Sequence, residues 1–360
     1  MVQQDNQLNL GFTQRFISEA SLYQGLILGR VIAQYRDLLR VSTGDQELLA
    51  EISGKLRYQA ASLADFPAVG DFVMMDRDSH EQGNALIHHV LSRKSVFLRK
   101  AAGTSREVQV VAANIDTVFI CMALNNDYNL RRMERYLSIA WDSGAVPVVV
   151  LTKADLCQDV AARVAEVKRV SPGMEVLVTS SLAEDGEKPV KSYLTPGKTV
   201  AFIGSSGVGK STLINRLLGE ERIATNETRK DDKGRHTTTH RELLTIPGGG
   251  AVVDTPGMRE LGLEHADLTK SFADIEELAE QCKFGDCTHG QEPGCAVRQA
   301  IDSGVLTEER LDSYFKLEKE AGYEGLNSKQ IEKKKIDRMF GDFGSMKNAR
   351  DYMKSKNRRK

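Results

Sequence analysis

Nine consecutive residues, Gly204 to Thr212, have the types and spacing to grip a nucleotide's phosphates: Gly-Ser-Ser-Gly-Val-Gly-Lys-Ser-Thr. The pattern is Gly, four residues, then Gly-Lys-Ser. Glycines at these places let backbone N–H groups turn inward around phosphate oxygens. Lys210 adds a point charge, and the positive end of a following helix supports the same anion. Gly204, Ser205, Ser206, Gly207, Val208, Gly209, Lys210, Ser211 and Thr212 are therefore candidate nucleotide-binding residues, with the Ser211 hydroxyl as a ligand for Mg²⁺.

Four further segments add to this chemistry. Asp254-Thr255-Pro256-Gly257 follows the apolar run Ala251 to Val253, so Asp254 and Gly257 stand at a strand end where Mg²⁺ and a γ-phosphate are sensed. Between it and the phosphate loop lies the hydrophilic stretch Glu220 to His240, with Gly234-Arg235-His236-Thr237-Thr238-Thr239. A hydroxyl there, that of Thr239, can close on Mg²⁺ and make the stretch a nucleotide-ordered switch. Thr152-Lys153-Ala154-Asp155 parallels the Asn-Lys-x-Asp of guanine-nucleotide enzymes. The Asp155 carboxylate can accept both N–H groups of the guanine edge while the Lys153 stem lies over the base. Thr in place of Asn makes one of the amide's hydrogen bonds and not both. Thr179-Ser180-Ser181 is placed to support the base contact.

Cys282, Cys287, His289 and Cys295 crowd together, whereas Cys121 and Cys157 are isolated. Three thiolates and an imidazole suit tetrahedral Zn²⁺ with no open position, a structural ion.

These groups need elements to carry them. Thr199 to Ile203 reads as a strand before the loop; Leu213, Ile214, Leu217 and Leu218 recur at helical spacing after it, closed by Gly219. Thr117 to Ala123, Val146 to Leu151 and Glu175 to Thr179 read as strands, with helices at Leu130 to Trp141 and Asp159 to Val170. Alternation of this kind builds a parallel sheet with helices on both faces. Upstream, Leu26 to Gln34, Leu38 to Thr43, Leu48 to Ser53, Asp71 to Asp76 and Ala85 to Leu91 are five short β-type runs, the number in an oligonucleotide-binding (OB) barrel. Arg30, Arg57, Arg93, Lys94, Arg99 and Lys100 are candidate RNA-phosphate contacts on it. Residues 1–22 are polar without a clear period and are expected as a mobile arm. The expected organisation is then an OB-type barrel at 23–105, an α/β P-loop domain at 106–262, an α-helical zinc domain at 263–325, and a tail at 326–360. The tail is rich in lysine and arginine, the footprint of a phosphate backbone as partner, although the whole chain of 360 residues carries a formal net charge of only −1. No apolar run approaches bilayer length, the start lacks a secretory pattern, and a cytoplasmic protein with no membrane partner is expected.

The order of the segments is itself informative. The base-reading turn precedes the phosphate loop, which is a circular permutation of the usual GTPase domain. Permuted order, Gly-Arg-His-Thr-Thr-Thr, Asp-Thr-Pro-Gly, an N-terminal barrel and a C-terminal Cys/His cluster together resemble the RsgA (YjeQ) family. The resemblance implies a GTPase that hydrolyses GTP slowly alone, is stimulated by the small ribosomal subunit, assists its late maturation through contact with rRNA, and leaves after hydrolysis. A monomer is expected. Met258 stands where Ras-like enzymes carry Gln. The resemblance favours His236 as the group that orders the attacking water; the alternative is a local hydrogen-bonding residue. Two other functions compete: a GTP-dependent RNA-binding assembly scaffold in which hydrolysis is incidental, and an ATP-using enzyme, against which Asp155 argues.

Overall fold

The structure is a computed structural model that describes residues 2–35, 38–79, 81, 83–100, 108–223, 241–254, 271–290 and 292–321. His236, Thr239, Gly257 and the basic tail lie outside the described residues.

Two helices, α1 (Val2–Asn9) and α2 (Gln14–Ala20), open the chain. Strands β1 (Ile27–Gln34), β2 (Leu39–Ser42) and β3 (Glu47–Ile52), helix α3 (Gly54–Gln59), and strands β4 (Phe72–Met75) and β5 (Ala85–Val90) follow. β1 pairs with both β2 and β4, β2 with β3, β3 with β5 and β5 with β4, so the five strands close on themselves as an OB-type barrel. Val31, Val41, Leu48, Val73, Met75 and Ile87 fill it. Gly29 is needed at the crowded wall, because a Cβ there would sit 2.5 Å from Val41 and 2.7 Å from Met75.

The expectation of a mobile arm over residues 1–22 is corrected by the packing. Phe16 is buried and stacks on Phe72 at 3.8 Å between ring centroids, and Phe12 meets the same ring edge-on at 5.4 Å. Phe12 and Phe16 stand four residues apart, but Leu8, Ile17 and Leu22 in the same segment are exposed, so only part of its apolar content is core.

Arg30 is corrected as well. It is 1% exposed, lies over Phe72, and donates to the carbonyls of Leu10, Gly70 and Asn114. Burial pulls its guanidinium down to about 10. A side chain so enclosed joins the N-terminal helices, the barrel and the chain beyond it, and has no access to RNA. Arg93 and Lys94 are similarly engaged, with Asp71 and Asp116 at 2.7 Å each.

A hairpin of β6 (Val96–Lys100) and β7 (Val108–Ala113) leads to the α/β region. This comprises β8 (Thr117–Ala123), α4 (Leu130–Ser143), β9 (Val146–Thr152), α5 (Val160–Val170), β10 (Val176–Val178), α6 (Lys188–Lys191), β11 (Thr199–Ile203), α7 (Lys210–Leu218), β12 (Arg241–Thr245) and β13 (Ala251–Asp254). The strand order is β10-β9-β8-β11-β13-β12, parallel except for β12. The first three strands in the chain fill one half and the last three the other. The loop after β11 therefore opens at the centre of the sheet, where α/β sheets bind ligands.

β12 does not end the sheet. It pairs with β1 of the barrel, Ala33 opposite Glu242 and Gln34 opposite Arg241, so barrel and α/β region share one sheet of eleven strands. Glu242 also receives Arg40 of the barrel at 2.5 Å and Arg222 at 3.1 Å.

Helices α8 (Ala273–Ala279), α9 (Ala296–Asp302) and α10 (Glu308–Ala321) form the C-terminal region. No described helix is long and apolar enough to cross a membrane. A buried polar knot joins this region to α4. Arg310 donates to Glu134 at 2.5 Å and to Asp274 at 2.9 and 3.0 Å, and Ser313 donates to the second Glu134 oxygen. Glu134 and Arg310 are 3% and 5% exposed, and without Arg310 the buried Glu134 carboxylate would keep only the Ser313 hydroxyl of these partners, whereas Arg310 would still have Asp274 without Glu134. Arg310→Ala, which leaves the Glu134 carboxylate on α4 without its cation, is expected to destabilise the protein by about 3–5 kcal/mol. The denaturant midpoint checks this, with the single tryptophan, Trp141 on the same helix, as the fluorescent reporter.

Candidate functional site

The phosphate loop runs from Gly204 to Gly209 between β11 and α7, with the backbone of Gly204, Gly207 and Gly209 at φ 145°, 77° and 97°. Gly204 has no room for a side chain: a Cβ would fall 2.4 Å from the Cys121 carbonyl oxygen on β8. The Cys121 thiol lies buried against this loop, and burial pushes it up to about 12, so it is inert. Lys210 opens α7 and donates its ammonium to the carbonyls of Gly204 at 2.7 Å and Ser205 at 2.6 Å. The cation is thus held over its own loop. Ser211 and Thr212 follow in the first turn, and Val208 packs into the core beneath.

Thr152, grouped with the base-reading residues from its position, is tied to the phosphate loop. It is 4% exposed and its hydroxyl donates to the Val208 carbonyl at 2.6 Å. The substitution of Thr for Asn therefore bears on how the base-reading turn is tied to the phosphate loop. The rest of the turn faces outward. Lys153 takes the left-handed conformation, φ 56° and ψ 41°, and Asp155 follows on a single 3₁₀ turn. Ala154 N–H bonds to the Thr179 carbonyl, and the Ser180 hydroxyl donates to the Asp155 carboxylate. The ends of β9 and β10 together hold Asp155 in place, on the same edge of the sheet as the phosphate loop. Asp254 ends β13, whose Val253 lies opposite Ala201 of β11, so its carboxylate emerges at that edge too.

One group at the site was not anticipated. Arg132, in the first turn of α4, donates from Nη1 to the Ser205 hydroxyl at 2.5 Å and to Asp127 at 2.8 Å. Nothing local in the sequence marks a contact spanning 73 positions.

The cysteine cluster is assembled between α8 and α9. Cys282 Sγ lies 3.7 Å from His289 Nδ1 and 3.9 Å from Cys295 Sγ, Cys295 Sγ lies 3.6 Å from the same nitrogen, and all four ligand atoms including that of Cys287 fall within 4.8 Å. Tetrahedral ligands at Zn–S of about 2.3 Å and Zn–N of about 2.0 Å would stand roughly 3.8 Å (S to S) and 3.5 Å (S to N) apart. The donor set and spacing fit such an ion. Local bonds set the ligands: His289 has φ 58°, its carbonyl accepts from Arg298 Nε at 2.7 Å, and the Arg298 N–H points at Cys295 Sγ at 3.4 Å. Glu292 closes the loop by accepting from the N–H groups of Thr288 and Gly290, and its carboxyl is held down at about 2 by these and by the Thr288 hydroxyl, the largest contributor.

A protein-family model for the RsgA GTPase matches residues 90–264. A curated protein of Lactiplantibacillus plantarum, named small ribosomal subunit biogenesis GTPase RsgA 2, is 52% identical over 96% of this chain and 97% of its own length. The crystal structure of YjeQ from Thermotoga maritima is 29% identical, covers 82% of this chain and 98% of its own, and superposes with a TM-score of 0.60. The structure of YloQ, described as a circularly permuted GTPase, covers 83% of this chain and 96% of its own at 24% identity with the same TM-score, a likeness of fold. Identity of this extent over nearly the whole of both chains, on a sheet whose phosphate loop comes after its base-reading turn, means that the protein belongs to the RsgA GTPase family.

Proposed function

We propose that this protein hydrolyses GTP in the course of late maturation of the small ribosomal subunit, that the subunit stimulates the hydrolysis, and that the protein leaves afterwards. One observation carries the reading: a phosphate loop and a braced Asp155 share one sheet edge, and the same sheet runs on without a break into an OB-type barrel. The name borne by the L. plantarum relative supports the choice of partner. Contact with rRNA would come from the exposed side of the barrel and from the basic tail.

In this reading Asp155 accepts the guanine N–H pair, and an adenine, lacking that pair, would leave its carboxylate unsatisfied. Lys153 covers the base. The loop N–H groups and Lys210 neutralise the phosphates, which is most of what phosphoryl transfer asks of a protein. The hydroxyl of Ser211 and the carboxylate of Asp254 are hard oxygen donors suited to Mg²⁺, with Thr239 as a further hydroxyl; when bound, Mg²⁺ supplies charge neutralisation at the phosphates. His236 orders the attacking water, and Gly257 senses the γ-phosphate. Cys282, Cys287, His289 and Cys295 hold one structural Zn²⁺, which supplies rigidity to the C-terminal region.

GTP turnover by the purified full chain, with and without purified small subunits and with ATP as control, tests this. Stimulation specific to GTP is expected. Bound GTP with turnover indifferent to saturating subunits would overturn the assignment of the partner.

A further inference from the structure

Arg132 is not part of any of the motifs that mark the nucleotide site, yet it reaches into it. Its backbone N–H is fixed by the Asn129 side chain at 3.0 Å, the N-terminal cap of α4, so the guanidinium projects from a rigid turn. From there Nη1 bridges Asp127 and the Ser205 hydroxyl. Ser205 is the first residue of the loop after Gly204, and its carbonyl is one of the two on which the Lys210 ammonium rests. A chain of contacts thus runs Asp127, Arg132, Ser205, Lys210. Thr152 holds the far end of the loop through Val208. Without Arg132 the near end would keep only the Lys210 ammonium on its carbonyls, and nothing among the described residues would hold the Ser205 side chain.

The partners point to a role in the loop and not in stability. The Arg132 and Asp127 side chains are 38% and 39% exposed, and ion pairs so open to water contribute little to folding. Ser205 is different: a loop of glycines and serines has little else to select one backbone shape, and a charged donor holding a hydroxyl is a strong, directional restraint.

We propose that Arg132 is a positioning residue of the phosphate loop, fixing Ser205 so that the loop N–H groups and Lys210 are set for a nucleoside triphosphate before it binds. The inference rests on the reading of Gly204 to Thr212 as the phosphate site. It acts through Ser205 and not on the reacting atoms, so its signature lies in nucleotide affinity. Preorganisation of this kind lowers the ordering cost of binding.

The test uses the full chain with GTP and GDP as probes. KM, kcat, the dissociation constants and the denaturation midpoint are measured for wild type, Arg132→Ala, Arg132→Lys, Ser205→Ala and the double variant Arg132→Ala/Ser205→Ala. Arg132→Ala is expected to raise KM and Kd about tenfold, the loss typical of a hydrogen bond to a charged group, with a smaller change in kcat and the midpoint nearly unmoved. Arg132→Lys recovers part of the affinity. The double variant binds no worse than the weaker single one, because both changes delete the same contact. Affinity within twofold of wild type in Arg132→Ala, or additive losses in the double variant, would overturn the proposal while leaving the nucleotide site standing. Failure of the wild-type chain to bind guanine nucleotide overturns the phosphate-site reading itself and this inference with it.

Discussion

Lys210→Ala is expected to lower GTP turnover by about 10²–10³-fold while the chain stays folded. That magnitude is typical of deleting one preorganised charge-stabilising group. The geometry supports it: the Lys210 ammonium lies against the Gly204 and Ser205 carbonyls at the mouth of the loop, outside the apolar clusters that hold β11 and α7 together. Truncation therefore removes a cation from the phosphates without opening a cavity. Alanine also suits the first turn of a helix. Single-turnover hydrolysis at saturating GTP reads the effect on chemistry, and circular dichroism reads the fold. Turnover within tenfold of wild type in a folded variant would sink the assignment of Gly204 to Thr212 as the phosphate site.

Removing the metal ligands is expected to have the larger structural effect. His289 and Cys295 are 8% and 3% exposed and, with Cys282 and Cys287, join the end of α8 to the start of α9 through a loop that otherwise has only a few hydrogen bonds. Structural zinc supplies about 10–16 kcal/mol of apparent binding energy in small zinc-finger peptides. The expected cost here is a fraction of that, because Phe272, Ile275, Val297 and Leu311 also pack into the main core. Cys295→Ala should abolish zinc binding, measured as about one ion per chain by elemental analysis in the wild type, and expose residues 280–296 to limited proteolysis. The cut should precede loss of the α4 signal from Trp141. A zinc-free variant as protease-resistant as wild type would show that the cluster is not a structural centre.

Both predictions concern groups whose chemistry is written in short stretches of chain. The phosphate loop, the turn ending in Asp155 and the cysteine cluster each depend on a few neighbouring residues: glycines that permit positive φ, a cation at a set distance, thiols separated by tight turns. Strands with periodic apolar runs were legible for the same reason, and β1 to β5 and β8 to β11 appear close to where their patterns place them. Strand β12 was not. Its sequence, Arg-Glu-Leu-Leu-Thr, is short and begins with two charges, and it becomes a strand because β1 and β13 offer it edges on both sides.

Side chains that work across the fold were read less well. Basic residues along the barrel looked equivalent in the sequence, but Arg30 turns inward to three carbonyls while Arg57 stays in water. Thr152 reads in the sequence as one of the nucleotide-site residues, and only the fold shows that its hydroxyl holds the Val208 carbonyl. Glu134 and Arg310 are 176 positions apart and look like two more surface charges on helices until α4 and α10 are packed together.

The sequence by itself thus determined the kind of chemistry, the order of its parts and the elements that carry them, since periodicity, turn residues and ligand spacing are local properties of a chain. The tertiary structure alone decided which polar groups are buried, which loop each hydroxyl and guanidinium restrains, and that barrel and α/β region share a sheet. Those outcomes depend on contacts between distant segments, and a contact of that kind leaves no period or spacing behind it in the chain.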